Sequence, residues 1–258
     1  MKKGGRQPIM RLSRVIVNAI NILISSFTVI CHLAVSLFAA VTKPKRQEML
    51  QVTDLQFGYD APLVRGLNFT IKAGTIRLLH GPSGCGKSSL LAILSGTADK
   101  MLKWQGQITL NRVDIGQLPA AQRGVGLMFQ DPLLFPHMTV GDNLAFGLTA
   151  ARTGWAERRQ AVLDALQECG LDGFAERDPA SLSGGQKARV ALMRALLAAP
   201  KMLLLDEAFS SLDPDLRQSF GKFVASQVAA RQIPALLVSH DAGDKSLTSG
   251  AIIKFPGL

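Results

Sequence analysis

The chain has 258 residues, enough for one large domain or two small ones, and its 47% hydrophobic, 19% charged composition points to a membrane-like segment or a well-buried parallel sheet. None of the three cysteines (Cys31, Cys85, Cys169) sits in a C-x-x-C pair, so neither a zinc site nor a disulfide framework is indicated and reduced thiols are expected. The net charge of +10 would suit a nucleic-acid binder, but residues 1–48 hold eight Lys or Arg against one acid, which leaves an ordinary +3 for the remainder.

Residues 15–42 carry no charge and are mostly apolar, long enough for one bilayer span. An export signal, a membrane anchor and a start codon assigned too far upstream all compete for this stretch. Five basic residues precede it and three follow it. The positive-inside bias would therefore put everything after it outside the cell. A domain that works inside the cell has no use there, and the motifs described below are of that kind, so a working start at Met49 is the favoured reading. The domains expected are then 1–48, a basic and apolar extension, and 49–258. Leu50, Val52, Leu55 and Phe57 form a strand-like apolar pattern at the start of the second.

Residues 76–80 read as a short buried strand running into Gly81-Pro-Ser-Gly-Cys-Gly-Lys87-Ser88, and Ser89 to Leu94 reads as a helix. Strand, glycine-rich loop and helix are the context that G-x-x-x-x-G-K-[ST] requires. Gly81, Gly84 and Gly86 let the backbone aim its N–H groups at phosphate oxygens, and the helix adds its positive end. Lys87 supplies a point charge, and the Ser88 hydroxyl can ligate Mg²⁺. Ser83, Cys85 and Ser89 complete the expected cradle. Cys85 is read as a tolerated small residue rather than a redox switch.

Residues 183–198 suggest a second helix N-terminus. Ser183 is a good N-cap, the apolar positions Val190, Met193, Leu196 and Leu197 have helical spacing from Lys187 to Ala198, and Pro200 follows. With Gly184, Gly185 and Gln186 this makes a second candidate anion site. One chain needs only one; a dimer in which each copy covers the other's nucleotide needs both. The apolar run Met202 to Asp206 ends in two acids. At the carboxyl end of a parallel strand, Asp206 would hold Mg²⁺ and Glu207 would act as general base toward water. Another apolar strand, Ala235 to Ser239, leads into His240.

These segments together resemble the ABC ATPase family. Leu182-Ser-Gly-Gly-Gln186 is similar to its signature motif, Gln130 in Val125-Gly-Leu-Met-Phe-Gln to its Q-loop, Ser211-Leu212-Asp213 to its D-loop, His240 to its switch histidine and Tyr59 to its adenine-stacking aromatic. The resemblance covers residues 49–245. It implies a P-loop NTPase α/β fold: a RecA-like parallel sheet core, an N-terminal antiparallel β subdomain holding Tyr59, and an inserted α-helical subdomain near residues 131–195. It implies that ATP and Mg²⁺ are used, that Gln130 contacts Mg²⁺ or the attacking water, that His240 contacts the γ-phosphate, that Asp213 reaches across a homodimer, and that Ser183, Gly185 and Gln186 bind the partner's ATP. Ala208 departs from the proline common after the glutamate, and the tail after His240 is too short for an appended regulatory domain.

The segment 129–147 narrows the resemblance to ATPases of bacterial binding-protein-dependent importers. Leu133, Leu134, Phe135 and Met138 follow Gln130 in a loop-like stretch with two prolines. Apolar residues exposed on a loop mark a partner surface, here for an integral-membrane permease, with a solute-binding protein as indirect partner. The bland alternative is a small satellite core. His137 is given no chemistry. The expected place is the cytoplasmic face of the inner membrane, as a peripheral subunit. A fused half-transporter is excluded by length. An ABC ATPase acting on nucleic acid or ribosomes lacks its usual marks here, since there are no sustained heptads, no C-x-x-C and one phosphate loop only; no nucleic-acid partner is expected.

Overall fold

The computed structural model describes residues 49–148, 154–250 and 252–255. The expectations for residues 1–48 lie outside the described residues. Among those described, no helix is long and apolar enough to cross a membrane.

Strands β1 (Met49–Gly58), β2 (Pro62–Lys72), β4 (Lys103–Leu110) and β5 (Val113–Asp114) form an antiparallel sheet in the order β2-β1-β4-β5. Its apolar pattern skips a beat between Val52 and Leu55, where the pairing shifts register and Asp54 takes φ 47°. The bulge returns Leu55 and Phe57 to the buried face. Gly106 on β4 makes room for it: a Cβ there would lie 2.7 Å from the Asp54 carbonyl oxygen.

A second sheet has the order β3-β8-β7-β6, where β3 is Ile76–His80, β6 Val125–Met128, β7 Met202–Asp206 and β8 Ala235–Ser239, and every pairing is parallel. Both of its faces are buried. Leu203, Leu205 and Leu237 pack with the helical layer, whereas Met202, Leu204 and Leu236 pack with the antiparallel sheet and with α1 (Lys87–Ser95). An uninterrupted apolar strand is what burial on both faces demands.

After the short α2 (Ala120–Arg123), the helical layer comprises α3 (Val140–Phe146), α4 (Trp155–Cys169) and α5 (Gly184–Leu197), which pack on one another. Helix α5 begins at Gly184, directly after the expected cap Ser183 and three residues ahead of the stretch that carries its apolar repeat. Two glycines weaken the first turn. Ser183 and Gln186 offset that loss with a reciprocal capping box, Gln186 N–H to Ser183 Oγ at 3.3 Å and Ser183 N–H to Gln186 Oε1 at 2.9 Å. The last helix, α6 (Pro214–Arg231), returns the chain to β8.

Candidate active site

Because the strands are parallel and in register, their carboxyl ends share one edge. His80 pairs with Ser239, Asp206 with Val238 and Met128 with Leu205. The loop Gly81–Gly86, Gln130, the Asp206–Glu207 pair and His240 all follow those ends directly, which is where open α/β sheets bind ligands.

The phosphate loop is built by glycine. Gly84 and Gly86 sit at φ 81° and 101°, conformations that side chains resist. A Cβ on Gly86 would also press within 2.9 Å of Leu63 and 3.0 Å of Phe57, so β1 and β2 set the floor of the loop. Tyr59 lies in the turn between those two residues and is 51% exposed, with its ring free to take a flat partner. It borders a hollow of about 250 Å³ shared with Lys103 and Trp104. Helix α1 follows Gly86 with no side-chain cap, so the N–H groups of its first turn have no side-chain acceptor. Lys87 is buried and donates two hydrogen bonds of 2.8 Å, to the carbonyls of Gly81 and Pro82. An ammonium has three donors, which leaves the third for a phosphate oxygen. Ser83, Gly84 and Ser88 are exposed and Ser89 is half-buried. The Cys85 thiol instead turns toward Gly81, where a Cβ would meet it at 2.9 Å, and joins the edge of the core.

Burial pushes the Asp206 carboxyl above its ordinary range, the neighbouring Glu207 adds to this, and Lys87 opposes it. Glu207 takes φ 49°, a strained value for a non-glycine residue, and its N–H donates to the Val238 carbonyl at 3.0 Å. That turn presents its carboxylate to His240, with Oε1 3.2 Å from Nδ1. With the carboxylate ionised Nδ1 must donate, so Nε2 is the ring atom open to another partner. The arrangement can hold a phosphate chain, neutralise it, and place a base and an imidazole beside its far end.

Two predicted residues have extra duties. Asp213 caps α6 by accepting the Leu216 N–H at 3.0 Å. Ser183 spends one lone pair on Gln186, but its hydroxyl hydrogen remains free to donate. Gly184 is exposed beside it, and Gly185 is pressed against Leu216, 3.2 Å from a Cβ placed there. Gln130 is exposed just past β6.

The predicted apolar loop is partly corrected. Leu133 is exposed at φ 46°, but Leu134 packs against the helical core and Met138 is half-buried. Phe135 meets Phe146 edge-to-face, ring centroids 4.8 Å apart, beneath the Arg194 guanidinium. Arg194 donates to the carbonyls of Pro132 and Leu133, and the fully buried Asn143 bonds Phe135 through both its N–H and its carbonyl. The loop is therefore pinned with Leu133 exposed as anticipated, and the exposed Phe129 before it and Phe146 on α3 were not anticipated.

A profile of the family described as ABC transporter matches residues 64–210, more than half of the chain. The chain belongs to the ABC transporter family. It is an ATP-hydrolysing subunit that energises a membrane transporter. The uncharacterized ABC transporter ATP-binding protein YnjD of Escherichia coli is 49% identical over 193 residues, 75% of this chain and 88% of YnjD. The spermidine/putrescine import ATP-binding protein PotA of Vibrio vulnificus is 39% identical over 210 residues, covering 80% of this chain and 54% of PotA. The Fe(3+) ions import ATP-binding protein FbpC 1 of Haemophilus influenzae is 39% identical over 193 residues, covering 75% and 58%. The chain thus spans little more than half the length of these two import proteins. Among solved structures, cbiO1 of Clostridium perfringens, part of the ABC transporter complex cbiONQ, superposes with a TM-score of 0.66 at 28% identity, covering 76% of this chain and 79% of cbiO1. This ABC subunit carries the Gly81–Ser88 loop, the Asp206–Glu207 pair and His240 on one edge of its parallel sheet.

Proposed function

We propose that this ABC subunit powers import through a separate membrane permease, seated at the cytoplasmic face of the inner membrane. The observation that carries the reading is the pinned loop 131–139. It leaves Leu133 exposed three residues after Gln130, with Phe129 exposed just before that glutamine and Phe146 exposed at the end of α3. A loop held that firmly can pass a push from a docked helix to Gln130 and onward to the nucleotide. The import names of the PotA and FbpC relatives support the direction of transport. The substrate would be read by the permease and by a solute-binding protein.

For catalysis, Lys87 and the backbone of Gly81–Ser89 hold the phosphates, Tyr59 stacks on the adenine, and Glu207 receives a proton from water while His240 faces the γ-phosphate. Positioning and charge stabilisation supply the rate. A second copy covers the nucleotide with Ser183, Gly184, Gly185 and Gln186, and Asp213 lies at that junction. Ser88, Gln130 and Asp206 are hard oxygen donors that suit Mg²⁺, and the poorly compensated Asp206 carboxylate is the charge that a dication relieves. Bound there, Mg²⁺ neutralises the phosphate oxygens.

The test is a partner census. Tagged Glu207→Gln protein is recovered from native membranes with ATP present. A multi-spanning permease in matching amount supports the reading; ribosomal proteins or nucleic acid without a permease would replace it with the non-transport alternative.

A further inference from the structure

Arg217 belongs to none of the segments read from the sequence, yet it touches three of them. It lies in the first turn of α6, and its backbone N–H donates to the carbonyl of the capping residue Asp213 at 2.8 Å. Its Nε donates at 3.1 Å to the carbonyl of Phe209, two residues beyond Glu207. Its Nη1 is paired with Asp241 Oδ2, the residue next to His240. A further carboxylate oxygen, Asp244 Oδ1, lies 3.8 Å from Nε on a residue only 1% exposed, and that oxygen makes no hydrogen bond among the described residues. From its place at the capped start of α6, the guanidinium therefore joins the turn after Glu207 to the loop after His240.

The His240 side chain cannot hold itself. It is 57% exposed and, among the described residues, makes one hydrogen bond, 3.2 Å to Glu207. Its position is set by the backbone on either side. Ser239 is buried in β8, and its hydroxyl accepts the Asp241 N–H at 3.0 Å. Asp241 folds the next turn by accepting the Gly243 N–H at 2.7 Å with Oδ1, while its other oxygen goes to Arg217. One turn on, Leu247 rests on Gly221 of α6, where a Cβ would intrude to 2.5 Å. The loop is thus tied to α6 at two points, and only the Arg217 end adjoins His240.

We propose that Arg217 is a positioning residue for hydrolysis, fixing His240 against Glu207 through Asp241 and linking both to the Asp213 cap. A planar fork suits this task because it can satisfy a carboxylate and a carbonyl in set directions; an ammonium cannot. The inference rests on the roles assigned above to Glu207 and His240. The ion pair is partly open to solvent, so its value lies in geometry more than in stability.

The experiment compares Arg217→Met, Asp241→Asn, His240→Ala and the two double variants with His240→Ala, using the full chain. Steady-state ATP hydrolysis and binding of a non-hydrolysable ATP analogue are measured. Arg217→Met should lower kcat by about 10- to 100-fold with KM within about twofold, the range expected when reacting groups are misplaced. In the His240→Ala background the same substitution should cost less than about twofold more, because the group it positions is gone. Asp241→Asn, which leaves Arg217 with its buried neighbour Asp244, should repeat this pattern should Arg217→Met fold poorly. A loss of equal factor in both backgrounds, or one confined to KM, would show a structural clasp and overturn the inference alone. Full turnover by His240→Ala would overturn the assignment of His240 and this inference with it.

Discussion

Removing the Arg123 guanidinium should destabilise the domain by about 3–5 kcal/mol, since it leaves buried carbonyls without a donor at about 1–3 kcal/mol each. Arg123 is 6% exposed and donates to four carbonyls: Ile93 at 2.5 Å, Leu94 at 3.2 Å, Gly116 at 2.8 Å and Leu118 at 2.8 Å. Two of these close the C-terminal turn of α1, so the cation meets the negative end of the helix that bears Lys87. Bonds to a charged donor contribute about 1.5–3 kcal/mol each. Burial withdraws part of that, and it is burial that lowers the guanidinium's own pKa, with Asp114 opposing. Arg123→Met keeps the apolar stem and leaves carbonyls unpaired. For a domain of this size the loss corresponds to roughly 6–20 °C in Tm. Arg123→Lys should recover less than half, because three donors on one nitrogen cannot reach four carbonyls around the fork. Denaturant unfolding of the three proteins decides the matter. An unfolding free energy for Arg123→Met within about 1 kcal/mol of the parent would refute the account of how α1 is anchored.

The other expectations concern the site. Glu207→Gln should bind ATP normally and lose about 10²- to 10³-fold in kcat, measured as phosphate release, in the range of general-base catalysis; Lys87→Ala should lose ATP binding itself, read by fluorescence of a nucleotide analogue. The raised Asp206 pKa means that the folded state holds its proton more tightly than the unfolded chain. Without nucleotide, stability should therefore fall as pH rises from the ordinary aspartate value through the folded one, and Asp206→Asn should abolish that fall, in urea titrations across the window; parent stability that climbs there relative to Asp206→Asn would contradict the sign. Burial drives the Cys169 thiol up to about 12, so alkylation of native protein should spare it and label the half-exposed Cys85, with ATP protecting Cys85, as peptide mapping would show.

What the sequence discloses depends on the range of the interaction. Met202–Asp206 and Ala235–Ser239 were legible because a strand buried on both faces must be apolar throughout, and the residues at their ends then fall on one edge by topology alone. Ser183 was legible as a cap for a similarly local reason. That cap puts the start of α5 at Gly184, where the structure has it; what was not legible is the return bond from the Ser183 N–H to Gln186 that offsets the two glycines of the first turn. Leu134 looked like its neighbours in the loop. Only the packing shows that it turns inward while Leu133 turns out. The guanidiniums of Arg123, Arg194 and Arg217 were invisible as functional groups. Their farthest hydrogen-bond partners lie 30, 62 and 24 residues away in sequence, and nothing in an isolated arginine names its acceptor. The left-handed backbone of Glu207 was equally hidden, since the surrounding fold imposes it.

The central claim is that nucleotide is enclosed by the uncapped α1 of one copy and the Ser183 end of α5 of another. Its most direct test is the solution mass and nucleotide content of Glu207→Gln protein, with and without MgATP. The account predicts a monomer that becomes a dimer holding two ATP, and a return to monomer when Ser183→Arg is added. A protein that stays monomeric with one ATP bound, while its parent hydrolyses ATP at full rate, would contradict it.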